Sequence, residues 1–188
     1  MNPAFSVIFL TTLIGAGQGL FLALYAAELA GRATPGFLAL GAAVALALTA
    51  LGLIASFFHL GHPERAWRSA AMWRTSWLSR EVIVLPLFMA GLAAWGAAHF
   101  IGWPMTRQLG ALTALLCVAL FVCTAMIYAS IKFLREWAHP LTLANYTLLG
   151  CASGFTLATL LAALQAPPLL RPYAVGAMLF PLAGLLTR

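Results

Sequence analysis

Two titratable side chains, His59 and Glu81, bracket the segment 57–81, which reads FFHLGHPERAWRSAAMWRTSWLSRE. A neutral imidazole and a carboxylate can each hydrogen-bond a hydroxyl and accept its proton. Histidine titrates near neutrality without help. Placed at opposite oxygens of a hydroquinone ring, the pair could take up both protons as two electrons leave. Trp67, Trp73 and Trp77 lie between them. Their amphipathic rings suit a membrane–water boundary and could border a pocket for such a ring. Arg65, Arg68, Arg74 and Arg80 crowd the same segment. Plainer roles compete for each residue. A glutamate opening a helix gains from the macrodipole alone, with Ser79 as a cap before it. A histidine ending a membrane helix is more often an interfacial residue than a ligand. The arginines by themselves read as headgroup contacts, and His62-Pro63 and His139-Pro140 read as turns.

The elements that must position these residues follow from composition. The 188 residues are 63% hydrophobic and only 7% charged, with a mean hydropathy of +0.98. A soluble domain carries roughly 25% charged residues, so no water-facing surface can be assembled. The fold class is an all-α integral membrane bundle. At about 20 apolar residues per crossing, the chain is one membrane domain, 1–188, with six spans. Glycine, proline and charge punctuation place them at 4–30, 37–60, 81–100, 107–131, 141–164 and 171–187. The fourth is expected to continue past the membrane to Trp137. The breaks are Gly31-Arg32 with Pro35-Gly36, Gly61-His62-Pro63, Gly102-Trp103-Pro104 and Pro167-Pro168. The segment 61–80 is then a long connector on one membrane side. The first span lacks a basic flank and is too long for a signal-peptide core, so it is read as retained. The last is short, contains Pro181 and runs to the chain end without a polar tail. Truncation is expected there.

Several classes are excluded. A net charge of +6 in a membrane chain marks basic loops near lipid headgroups or an acidic partner, not nucleic acid. Cys117, Cys123 and Cys151 fall inside apolar spans, with the first two at a spacing that suits no metal motif. No metal site is expected. Haem would need facing histidines at mid-depth, whereas His59, His62 and His139 sit near one surface and His99 near the other. No haem is expected either. Mid-span Gln18 should point into the bundle, where its amide can be paired. Gly15 to Gly19 and Gly150 with Gly154 give small-residue faces for close helix packing, and Asn145 reads as ordinary interface chemistry.

With six spans, Arg65, Arg68, Arg74, Arg80, Lys132, Arg135 and Arg188 share one side, and Arg32, Arg107 and Arg171 the other. That bias predicts a cytoplasmic location for the first side.

The residues 56–61 (SFFHLG), Pro63, Arg65-Ala66-Trp67 and 75–81 (TSWLSRE) carry a resemblance. The chain resembles the membrane anchor subunit of the dimethyl sulfoxide reductase family, best over 1–84 and more loosely to 164. Its opening, with Ile8-Phe9 and the glycines from Gly15 to Gly19, is also similar. The resemblance implies a multi-pass protein of the bacterial inner membrane, part of a complex of three subunits. The partners would be a molybdopterin catalytic subunit and a subunit with four iron–sulfur clusters. The anchor would bind menaquinol, oxidise it and pass electrons to the iron–sulfur subunit. The family's quinol-site histidine and glutamate fall on His59 and Glu81. Arg65, Trp67, Trp77 and Arg80 belong to the same motif, and a role for them around the quinol is our inference. Two departures stand out. The family has eight helices, so a C-terminal pair is expected to be missing here. Its quinol site faces outward, against the arginine count, and the family orientation is retained. The alternatives are a purely structural anchor without a quinol site, and a small transporter, which the lack of mid-membrane charge disfavours.

Overall fold

The computed structural model describes residues 5–58, 60 and 62–187. Among these, six helices are long and apolar enough to cross a membrane: α1 (Phe5–Leu29), α2 (Pro35–Phe57), α3 (Trp77–Ile101), α4 (Thr106–Ala129), α5 (Leu141–Gln165) and α6 (Pro167–Leu186). Each is apolar around its whole circumference, as a helix between lipid and protein must be. Leu112, Leu115 and Val118 of α4, for example, remain exposed on the outer surface of the bundle.

Local chemistry sets the boundaries. Gly31 and Gly102 adopt left-handed backbone, at φ of 66° and 73°, and close α1 and α3. The following amides return to Ala27 and Ala98 carbonyls at 3.1 and 2.8 Å, which satisfies carbonyls that the helix ends leave free. Thr34 caps α2 through its hydroxyl, with Pro35 at the first position. The third helix begins at Trp77, one turn before the expected 81–100. Ser76, not Ser79, is its cap, accepting a 3.4 Å hydrogen bond from the Ser79 amide. Glu81 therefore sits beyond the first turn. The fourth helix stops at Ala129 and continues as turns rather than reaching Trp137. Pro167 opens α6 directly after α5, because proline's missing amide costs nothing in a first turn. Residues 63–72, expected as plain connector, form a 3-10 helix (Pro63–Met72).

The first helix is the axis of the packing. It contacts α2, α4 and α5, while α2–α3, α3–α4, α4–α5 and α5–α6 contacts complete the bundle. Phe21 meets Phe88 and Trp95 edge-on at ring separations of 5.8 and 5.2 Å. Gln18 is fully buried and donates to the Cys117 carbonyl at 3.0 Å. Gly15 and Gly19 of α1 lie directly against Gly150 and Gly154 of α5, while Gly17 lies against Ala45 and Thr49 of α2, so the small-residue faces pack within the bundle. The start of α1, the start of α3, the ends of α2 and α4, the start of α5 and the end of α6 share one membrane face.

Candidate functional site

Glu81 is only 8% exposed. Its Oε1 accepts a hydrogen bond from the Thr124 hydroxyl of α4. Burying a carboxylate is costly unless it is protonated, paired or hydrogen-bonded, and among the described residues Thr124 is its one hydrogen-bond partner. Tyr128 of α4 and Tyr146 of α5 lie within electrostatic reach of it. Tyr146 donates to the Thr11 carbonyl of α1 at 3.3 Å and packs edge-on against Phe121 at 5.8 Å. Thus α4 bonds the carboxylate directly, α5 stands near it through Tyr146, and Tyr146 in turn ties α5 to α1.

The same two tyrosines line a cavity of about 790 Å³ that opens at this face, between α4, α5 and the turns joining them. Thr11, Arg135, Glu136, Trp137, His139 and Asn145 are among the other residues on its wall. Its size falls within the range of small-molecule sites. Aromatic walls accept a flat ring, while the tyrosine hydroxyls, the imidazole and the amide offer hydrogen bonds to oxygens on its rim. A titratable group just behind such a wall can trade protons with a bound hydroxyl through a tyrosine or a water.

The connector residues are distributed differently. Arg65 is exposed, 3.7 Å from Glu64. Trp67 is 72% exposed, with the Arg68 guanidinium 5.4 Å over its ring. With three residues per turn, the 3-10 helix aligns Arg65 with Arg68 on one face and Glu64 with Trp67 on another. Neither Arg65 nor Trp67 is gathered around Glu81. Trp77 is half-buried, with Arg80 stacked 4.2 Å over it. Arg80 also donates to the Trp73 and Arg74 carbonyls, both at 2.9 Å. It therefore clamps the end of the connector to the start of α3. His59 lies outside the described residues.

Arg80→Ala should release that clamp. Trypsin should then cleave after Arg65, Arg68 or Arg74 several-fold faster in detergent-solubilised protein, because cleavage tracks local opening. An unchanged cleavage rate would mean that the connector is held by something else.

The residues that sequence reading missed are Thr124, Tyr128, Tyr146 and the cavity wall at His139 and Asn145. Tyr128 and Tyr146 do stand near span ends on the Glu81 face, which is the signal that could have drawn attention to them. By itself it reads only as an aromatic belt.

Residues 1–187 match the family described as DMSO reductase anchor subunit (DmsC). The chain belongs to this anchor family. It is also 53% identical, over an alignment of 207 positions, to the C subunit of the sulfite dehydrogenase of Allochromatium vinosum. That alignment takes in all of this chain and 64% of the relative, so the chain spans less than two thirds of the relative's length. No solved structure matches it. The family is that of membrane anchors of molybdenum oxidoreductases, and six apolar helices make this member multi-pass. The resemblance carried by the motifs in 56–81 therefore extends along the whole chain.

Proposed function

We propose that this DmsC-family anchor is quinone-active. In this reading it binds menaquinol in the bacterial inner membrane, with the ring in the cavity beside Tyr128 and Tyr146. Oxidation sends two electrons to an iron–sulfur subunit and on to a molybdopterin catalytic subunit. The two hydroxyl protons pass to His59 and Glu81, and from them to water. The observation that carries the reading is a buried carboxylate, held by Thr124, standing behind an aromatic cavity that is open at one membrane face. Trp77 and Arg80 act by fixing the connector over α3. Arg65 and Trp67, both turned outward, are placed to meet the iron–sulfur subunit or lipid headgroups.

A second reading of direction rests on one finding. The 53% identical relative is named as part of a sulfite dehydrogenase, and oxidation of a substrate would send electrons toward the quinone. The site then runs in reverse, with Glu81 and His59 donating protons to the reduced ring.

Titrating membranes with a fluorescent quinol-site inhibitor tests the site. Wild type should quench saturably, and His59→Leu and Glu81→Gln should abolish the quench. Equal quenching in both variants would remove these residues from the site. No quenching in wild type would favour a purely structural anchor. Direction is read separately in the assembled complex, by whether sulfite reduces added quinone or quinol drives reduction at the catalytic subunit.

A further inference from the structure

The bundle face opposite Glu81 carries a carboxylate–imidazole pair. Glu28, in the last turn of α1, and His99, in the last turn of α3, are 7% and 8% exposed. Glu28 Oε1 and His99 Nε2 lie 3.2 Å apart. Trp95, one turn before His99, donates its indole N–H to the other carboxylate oxygen at 3.0 Å and meets the imidazole edge-on at 4.8 Å. Glu28 Oε1 and His99 Nε2 are close without being aligned as a hydrogen bond, and among the described residues neither has another partner.

Both side chains stand on the wall of a cavity of about 330 Å³ between the α1–α2 and α3–α4 connections. Trp103, Thr106 and Arg107 share that wall. The titratable and charged groups around the pair are few. From α1 comes Tyr25, whose hydroxyl donates to the Arg107 carbonyl at 3.1 Å. From α4 comes Arg107 itself. The second helix presents only apolar groups there, Phe37, Leu38 and Ala42. Arg32, in the α1–α2 connection, is exposed.

A tie made only to hold α1 against α3 would be a closed, aligned ion pair, and even that would add little stability against an apolar replacement. Here Glu28 Oε1 and His99 Nε2 are shut off from solvent, 3.2 Å apart and without an aligned hydrogen bond, in two residues that line a cavity, an expensive arrangement unless something exchanges there. A buried pair of this kind is electrically neutral when it holds one proton, wherever that proton sits. Losing it leaves a carboxylate whose nearest cation on the cavity wall is Arg107.

We propose that Glu28 and His99 form a proton-holding site that exchanges one proton with water in this cavity, on the membrane face opposite Glu81. The step is a proton transfer alone. The N–H or O–H bond to the pair breaks, a water in the cavity takes the proton, and no electrons move. The proposal does not depend on a quinone binding anywhere, and it gives the chain a proton-exchanging group at each face.

The test uses the full chain in lipid nanodiscs. Infrared difference spectra between acid and alkaline buffer should show a protonated-carboxyl signal converting to carboxylate. The exposed Glu64 and Glu136 contribute to that conversion in every variant, so the component from the buried pair should be the part absent in Glu28→Gln and present in Glu81→Gln. The glutamine keeps the acceptor for Trp95 and nearly the same shape. A measurement on wild type guards against a misfolded variant. With ¹⁵N-labelled histidine, the ring signals of His99, assigned by their loss in His99→Gln, should shift across the same pH interval as the carboxyl conversion. A His99 signal that stays fixed while the protein remains folded overturns the proposal, as does a carboxyl conversion of undiminished amplitude in Glu28→Gln.

Discussion

Glu81→Gln is expected to lower quinone-linked turnover of the assembled complex by about 10²–10⁴-fold, the usual contribution of a positioned acid–base group. The amide keeps the size of the side chain and an oxygen for the Thr124 hydroxyl, so the buried packing is preserved. What it removes is the ability to hold and return a proton. Assembly with the partner subunits, followed on a native gel, should be unchanged. Thr124→Val should cost less. It strips the carboxylate of a hydrogen bond, and bonds to charged groups are worth about 1.5–3 kcal/mol. Since about 1.4 kcal/mol is a factor of ten, that corresponds to a loss of roughly ten- to a hundred-fold. The ordering decides between readings. A purely structural anchor predicts that both variants turn over like wild type. A site that needs only the shape of Glu81 predicts that Glu81→Gln is silent and Thr124→Val is not. Proton exchange at Glu81 predicts that the glutamine is the worse of the two.

The six helices were legible because a chain with so little charge has one way to satisfy its backbone, and because Gly31, Gly102 and the prolines punctuate it in the right places. Glu81 was singled out through the motif 75–81, yet its setting was not legible. Ser76 captures the helix start one turn early, and that single cap moves Glu81 from a headgroup-level first turn to a buried position facing α4. Thr124, Tyr128 and Tyr146 are invisible in the same way. Their importance comes from contacts between spans far apart in sequence, and no local period encodes that. The connector shows the opposite failure. Arg65 and Trp67 sit in the motif beside His59 and Glu81, which suggested a shared pocket. The three-residue turn of the 3-10 helix instead sends them outward. His59 lies outside the described residues. His99 was read as a span-end residue, and Glu28 was not singled out. Counting spans puts both ends at one face, and only the fold brings them within 3.2 Å.

Gly154 should tolerate no side chain, and the effect should run against helix propensity. A Cβ at Gly154 would collide with the Gly19 carbonyl carbon and the Leu20 amide, and one at Gly19 with the Gly150 carbonyl. These are backbone atoms, so no rotamer can relieve the clash and the helices must move apart. Overpacking of this kind costs typically about 1–3 kcal/mol. Gly15 is the internal control. A Cβ there would meet the Gly150 Cα at 3.5 Å, an ordinary contact. Alanine is a better helix former than glycine by about 1 kcal/mol, so propensity alone predicts that Gly15→Ala and Gly154→Ala both stabilise. The packing predicts opposite signs: Gly15→Ala neutral or stabilising, Gly154→Ala destabilising, and Gly154→Leu more so. Denaturation midpoints in detergent, read by helix content, separate the two. The inhibitor titration adds a functional consequence. Tyr146 sits two turns before Gly154 on the same helix and holds α1 through the Thr11 carbonyl. Prising α5 from α1 at Gly154 should therefore weaken quenching at the Tyr146 cavity, although residue 154 does not line it. If Gly154→Leu left both the midpoint and the quench at wild-type values, the close α1–α5 approach could not be what fixes the cavity wall.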